Sequence, residues 1–334
     1  MLSYIADIWA LLIAAAVGLY VILDGFDLGV GILFPWARSE ADRDTIMSSV
    51  APFWDGNETW LVLGGGGLWV AFPRAYATIM PAVYLPVIVM LLALIFRGVS
   101  FEFRVVAKPR HHAWDVAFAA GSILAAFSQG VVLCALIQGI HVENGVFAGG
   151  SFDWATPFAA VCGVGLVAGY ALLGATWLIW KTEGELAETA RNWAMTLLVV
   201  VLIFIAVVSL WTPLSVARIA ERWFSVPNIF YLAPVPVVTA ALGFGAWHWL
   251  QRREEALPFF AATGLFLLCY LGLAISTYPY LVPPTLTIWD AAAAPESQIF
   301  SLMGVLFLLP IILGYFAFVY WTYRGKVRAG EGYH

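Results

Sequence analysis

The chain has 334 residues, of which 62% are hydrophobic and 11% charged, with a formal net charge of -5. A soluble domain carries about 25% charged residues, so this chain lacks the polar coat that a water-facing surface needs. Its apolar residues run uninterrupted over transmembrane lengths, unlike the alternating segments of about ten residues in a membrane β-barrel. An all-α polytopic membrane protein is what remains.

Nine spans are predicted, near 5–34, 51–72, 79–99, 114–140, 154–180, 193–211, 229–250, 257–277 and 299–323, in one integral membrane domain over 1–334. No basic residue precedes the first span, as one would in a secretory signal, and it reads as a retained helix. After it, Ser39-Glu40-Ala41-Asp42 has the pattern of a helix N-cap. That predicts a short interfacial helix ending before Pro52. Span two contains Gly64-Gly65-Gly66-Gly67, where each glycine costs about 1 kcal/mol of helix propensity relative to alanine. Small residues let membrane helices approach closely, so tight packing is expected, with a local helix break as the alternative. Pro213 and Pro227 make 209–229 irregular, and four prolines in 278–297 predict an ordered loop or lid. Trp36, Trp114, Trp154, Trp211, Trp289, Trp321 and Tyr323 mark span ends, where amphipathic rings favour the headgroup level.

Arg38, Arg43, Arg97, Arg104, Lys108, Arg110, Lys181, Arg191, Arg252, Arg253, Arg324, Lys326 and Arg328 fall on one side of this plan. Arg74, Arg218 and Arg222 fall on the other. Basic residues collect in the cytoplasm, which places the N-terminus outside and the C-terminus inside and requires an odd number of spans. Cys134, Cys162 and Cys269 lie far apart within apolar runs and form no CxxC pair. They read as small buried hydrophobes, with neither a metal site nor a disulfide indicated.

Charged groups at membrane depth are costly and point to function. Asp24 and Asp27 are three apart on span one, and Asp55 and Glu58 repeat that spacing at the start of span two, each pair sharing a helix face. At about 1.5 Å per residue, Asp55, Glu58, Asp27 and Asp24 would sit roughly 5, 9, 12 and 16 Å from the cytoplasmic end. If spans one and two pack antiparallel, the acids form a ladder of the kind that carries protons. The competing reading is structural, with the acids as fixed partners of Arg97 or Arg104 or as helix caps.

A membrane haem needs facing histidines, or histidine and methionine, inside the bilayer. His111 and His112 lie in a basic loop, His141 at a helix end, His248 near the end of a span and His334 at the terminus. This chain is therefore expected to bind no haem and no metal, and to hold no catalytic residue of its own.

Asp24-Gly25-Phe26-Asp27-Leu28-Gly29, Phe53-Trp54-Asp55-Gly56-Asn57 with Trp60, and Phe96-Arg97 with Phe101-Glu102-Phe103-Arg104 resemble subunit II of bd-type quinol oxidases, including the cyanide-insensitive subclass. The resemblance is specific in the first 105 residues and covers the rest in span number and hydropathy. It implies nine helices, as two four-helix bundles and one peripheral helix, in a bacterial inner membrane. It also implies a heterodimer whose subunit I holds two haems b, haem d and the quinol site and reduces dioxygen to water. Further implied partners are lipid, a possible structural quinone and a small single-helix accessory subunit, with no nucleic acid.

The family's Trp-Asp pair implicated in proton uptake corresponds to Trp54 and Asp55, and its first-span acids to Asp24 and Asp27. Glu58 departs from the family pattern, in which some members have glutamine. The resulting expectation is a proton route using Asp24, Asp27, Trp54, Asp55, Asn57 and Glu58, with Arg97 and Arg104 as charge partners. Its rivals are a proton-coupled secondary transporter, for which the absence of an internal repeat is unfavourable, and a purely structural membrane subunit.

Overall fold

The computed structural model describes residues 4–107 and 111–327. Lys108, Arg110, Arg328 and His334 lie outside the described residues. In chain order the helices begin with α1 (Tyr4–Leu33), which ends in a 3-10 turn, α2 (Glu40–Ser48), α3 (Trp54–Ala71), α4 (Pro73–Val106) and α5 (His112–Gln138). A hairpin of β1 (Val142–Glu143) and β2 (Val146–Phe147) leads to α6 (Pro157–Lys181), α7 (Gly184–Ser215) and the short α8 (Ala217–Phe224) and α9 (Asn228–Leu232). Then come α10 (Pro234–Gln251), α11 (Leu257–Thr277), a second hairpin of β3 (Tyr280–Val282) and β4 (Leu286–Thr287), α12 (Ile288–Ala291) and α13 (Pro295–Thr322).

Among the described residues, eight helices are long and apolar enough to cross a membrane. The predicted span missing from these eight is the second, α3, 18 residues of unbroken helix, long enough at about 27 Å but made polar by Asp55, Asn57, Glu58 and its glycines. Two spans run well past their predicted bounds, span three to Pro73–Val106 and span six to Gly184–Ser215. In span three hydropathy falls at Arg97 and Arg104, yet the helix continues because both side chains find carboxylates.

Local chemistry explains several ends. Ser39 Oγ accepts from Asp42 N at 3.1 Å and starts α2, the predicted interfacial helix. Prolines sit in the first turn of α4, α6, α10, α11 and α13, where a missing N–H costs nothing. Within α4, Pro86 removes an internal hydrogen bond, and the helix bends at Val83 one turn before it. The proline-rich segment is ordered: Thr287 and Asp290 form a reciprocal capping box at α12.

α1, α3, α4 and α5 form one four-helix bundle, and α6, α7, α10 and α11 a second. They join where α6 packs on α1 and α5, and α13 runs along the outside against α1 and α3. From Asp24 to Phe34 every residue of α1 is buried, so this half-helix is the shared core. Its crossing with α6 is made by glycines: a Cβ on Gly29 would stand 1.8 Å from the Tyr170 carbonyl oxygen. A similar crossing at Gly130 brings α5 onto α6, where an added Cβ would be 2.6 Å from the Cys162 carbonyl oxygen.

That second crossing overturns one expectation. Cys134 and Cys162 are joined by a disulfide between α5 and α6. Their separation of 28 residues conceals that both lie a turn or so from the same ends of antiparallel neighbours. Cys269 is free.

Candidate functional site

The site is built where α1, α3, α4 and α13 meet. Arg97 projects from α4 between α1 and α3, donating to Asp24 Oδ1 at 3.1 Å and to Glu58 Oε1 at 2.9 Å. The Arg97 and Asp24 side chains are fully shielded, whereas Glu58 keeps 25% of its side-chain surface exposed. Asp27 is held differently. Its Oδ2 accepts from Asn57 Nδ2 at 2.7 Å, and Asn57 Oδ1 accepts from Tyr320 Oη on α13 at 3.0 Å. Asn57 thus ties three helices, and Asp27 and Asn57 are both fully buried.

Three of the four acids therefore take part in two antiparallel contacts between α1 and α3, Asp24 with Glu58 through Arg97 and Asp27 with Asn57, instead of a single-file ladder of four. Asp55 lies on the exposed side of the first turn of α3, and its carboxylate makes no hydrogen bond or ion pair among the described residues. Trp54 lies flat on Phe101 of α4, with centroids 4.9 Å apart and planes 3° from parallel. Gly98 leaves room for it, since a Cβ there would touch the Trp54 ring at 3.0 Å.

Several buried polar atoms around Arg97 have no hydrogen-bond partner among the described residues: Asp24 Oδ2, Asp27 Oδ1, and Arg97 Nε and Nη2. Such groups are rare in folded proteins and tend to mark functional sites or bound water.

Arg104 does not join this cluster. Two turns further along α4, it donates to Asp115 Oδ1 at 2.6 Å, to Glu40 Oε2 at 3.1 Å and to Asp44. It fastens α2 to the start of α5. His111 Nδ1 stands 3.2 Å from Asp115 Oδ2, and ligand atoms of Glu40, His111 and Asp115 lie within 4.8 Å of one another. The Arg104 guanidinium already supplies the positive charge those carboxylates face.

The three basic residues at the opposite end are likewise committed to backbone oxygens. Arg74 donates to the Asp290 carbonyl, Arg218 to Ser276, and Arg222 to Ile275 and Tyr278.

A family model for cytochrome bd terminal oxidase subunit II matches residues 5–323. The chain belongs to the cytochrome bd terminal oxidase subunit II family. Cytochrome bd-I ubiquinol oxidase subunit 2 of Escherichia coli (strain K12) is 29% identical over 96% of this chain and 94% of its own. Cytochrome bd ubiquinol oxidase subunit 2 of Bacillus subtilis (strain 168) is 27% identical over 97% of each. The solved structure of bd oxidase from Geobacillus thermodenitrificans contains a chain with the same fold. It matches with a TM-score of 0.75 and 19% identity, over 95% of this chain and 98% of that one. Family and helices together make this a multi-pass inner-membrane protein and a subunit of a terminal oxidase complex with a subunit I partner and haem cofactors.

Sequence reasoning identified the acids and Arg97 but missed Tyr320, which carries α13 into the site. It also missed Tyr20, Gln129 and Tyr170, which are hydrogen-bonded in a file that ends one turn from Asp24 on α1. Tyr20 precedes Asp24 by four residues, a spacing that puts both on one helix face, and that was the available signal.

Proposed function

We propose that this chain is the haem-free subunit II of a bd-type quinol oxidase, and that it brings protons from the cytoplasm to the oxygen-reducing subunit I. The observation that carries the proposal is the Arg97 cluster. Asp24 and Glu58 share one guanidinium with Asp27 a turn away on α1, Asp24 and Asp27 fully buried and Glu58 partly exposed, and the group balances electrically only when it also holds protons. Reduction of dioxygen to water consumes protons, and a site that loads and unloads them from one side is what such a reaction requires.

In this reading Asp55 and Glu58 are the intake, the first exposed and the second only partly covered. Trp54 and Asn57 fix the intake geometry through Phe101 and Tyr320. Arg97 sets the charge balance, Asp24 and Asp27 pass the proton inward, and Arg104 holds the surrounding helix ends. The excess of basic residues at this end of the bundle supports a cytoplasmic location.

The histidines support the haem-free assignment. His111 lies against Asp115, His141 Nε2 is 3.2 Å from Glu143, and the His248 ring lies over Phe244 in the last turns of α10. Among the described residues no histidine faces another at membrane depth, so those present do not fit an axial pair. The haems b and haem d belong to subunit I in this proposal.

The outer face of α3 supports a helical partner there. Asp55, Thr59, Val62, Gly65, Gly66 and Trp69 are exposed along it, too polar a stripe to leave against lipid. Lipid, quinone and a small single-helix accessory subunit complete the partners of this reading. Family membership supports the oxidase subunit over a secondary transporter.

The test is an optical redox spectrum of the complex purified through a tag on this chain, beside the chain alone. Haem b and haem d bands are expected only when subunit I co-purifies. Haem on the isolated chain would overturn the haem-free assignment, and an intact complex without haem would overturn the oxidase reading.

A further inference from the structure

Tyr20, Gln129 and Tyr170 form a hydrogen-bonded file that ends one turn from Asp24 and takes no part in the intake described above. Tyr170 Oη on α6 donates to Gln129 Oε1 on α5 at 2.7 Å. Gln129 Nε2 donates to Tyr20 Oη on α1, also at 2.7 Å. Tyr170 is fully buried and Tyr20 only 3% exposed, so neither hydroxyl trades these bonds for water.

An amide has a donor end and an acceptor end that cannot exchange roles. Both neighbours are hydroxyls, which can donate or accept, and the structure turns the carbonyl to Tyr170 and the NH2 group to Tyr20. The carbonyl receives the Tyr170 proton, and the NH2 group fills a lone pair on the Tyr20 oxygen. The Tyr20 proton is therefore left to point elsewhere. Asp24 follows one turn later on the same face of α1. Arg97 occupies Oδ1 of that carboxyl, and Oδ2 is buried without a partner. A donor without an assigned acceptor thus stands one helical turn from an acceptor without a donor.

The far end of the file is held rigidly. The Tyr170 ring stacks on Phe266, with centroids 5.6 Å apart and planes 16° from parallel. It seats against α1 at Gly25, where a Cβ would come within 2.8 Å of it.

We propose that Gln129 is a positioning residue that directs the Tyr20 hydroxyl proton onto Asp24 Oδ2. The carboxyl is then held by a guanidinium on one oxygen and a directed phenol on the other. Because Tyr170 comes from the second bundle, the packing of α6 on α1 is transmitted to the acid. The inference deepens the proton-route reading by naming what controls Asp24, and it rests on that reading for its consequence in turnover. The hydrogen-bond arrangement itself does not depend on it.

The experiment uses the whole purified complex and the variants Tyr20→Phe, Gln129→Leu, Tyr170→Phe, Asp24→Asn and Tyr20→Phe/Gln129→Leu. Infrared difference spectra across a pH titration follow the carboxyl band that Asp24→Asn removes, and oxygen uptake is measured over the same pH range. Tyr20→Phe deletes one oxygen and Gln129→Leu keeps the side-chain volume. Both are expected to displace the Asp24 band equally, and the double variant to displace it no further. Tyr170→Phe leaves the amide still donating to Tyr20 and is expected to displace it less. The pH profile of oxygen uptake should move in step, which a merely structural cross-link would not produce.

A band that moves in Tyr20→Phe but not in Gln129→Leu would overturn the positioning role, and a band unmoved in both would overturn the file's link to Asp24. If the bands move together while Asp24→Asn respires normally, the hydrogen-bond file stands and the proton route fails.

Discussion

Arg97 and Asp24 pair at 3.1 Å with both side chains fully shielded from solvent. A buried pair adds little net stability, but removing one partner strands the other at a cost of about 3–5 kcal/mol. Glu58 changes that balance because it contacts the same guanidinium at 2.9 Å. Asp24→Asn leaves Arg97 with a carboxylate and is predicted to preserve the fold. Arg97→Met leaves Asp24 and Glu58 without their cation and is predicted to lose about 3–5 kcal/mol, as is Asp24→Asn/Glu58→Gln, which leaves the arginine without a hydrogen-bonded carboxylate. Thermal unfolding in detergent compares them. Equal midpoints for Asp24→Asn and Arg97→Met would contradict the shared-partner account.

The glycines give a second contrast. Gly29→Ala would drive a methyl into the Tyr170 carbonyl, and Gly174→Ala would meet the Gly29 carbonyl carbon at 2.3 Å. Overpacking of this kind costs typically about 1–3 kcal/mol, and more where backbone must move. Gly65 has nothing within 4 Å of its added Cβ, so Gly65→Ala is predicted to keep the chain's own fold and gain about 1 kcal/mol of helix propensity. Detergent-solubilised yield and thermal midpoint of the three variants test the difference.

These cases show where sequence reading reached and where it stopped. Hydropathy located the spans, and the three-residue spacing of Asp24 with Asp27 and of Asp55 with Glu58 placed the acids on helix faces. The Ser39 cap was legible because its signal is local. Pairings between helices distant in sequence were not. Arg104 has the same sequence character as Arg97, yet it meets Asp115 because α5 turns back beside it, and Glu40 because α2 folds under it. Tyr320 reaches Asn57 across 263 positions. Cys134 and Cys162 meet only because Gly130 lets two helices touch.

The proposed orientation makes a prediction about labelling. The β1–β2 tip is assigned outside and the start of α7 inside. In a Cys269→Ser background, Val146→Cys is predicted to react with a membrane-impermeant maleimide on intact cells, and Glu185→Cys only after the membrane is opened. The reverse pattern would invert the topology. The Cys134–Cys162 disulfide lies near the end assigned to the oxidising side, where such bonds persist.

The central claim is that protons for oxygen reduction come in through Asp55 and Glu58. The most direct measurement is oxygen uptake by purified complexes carrying Asp55→Asn or Glu58→Gln, normalised to haem content. Asp55 is exposed and unpaired among the described residues, so its replacement should change stability by no more than about 0.5 kcal/mol. The account predicts full haem content with turnover reduced about tenfold or more, as loss of a positioned proton-transfer group requires. Unchanged turnover in both variants at full haem content would contradict it.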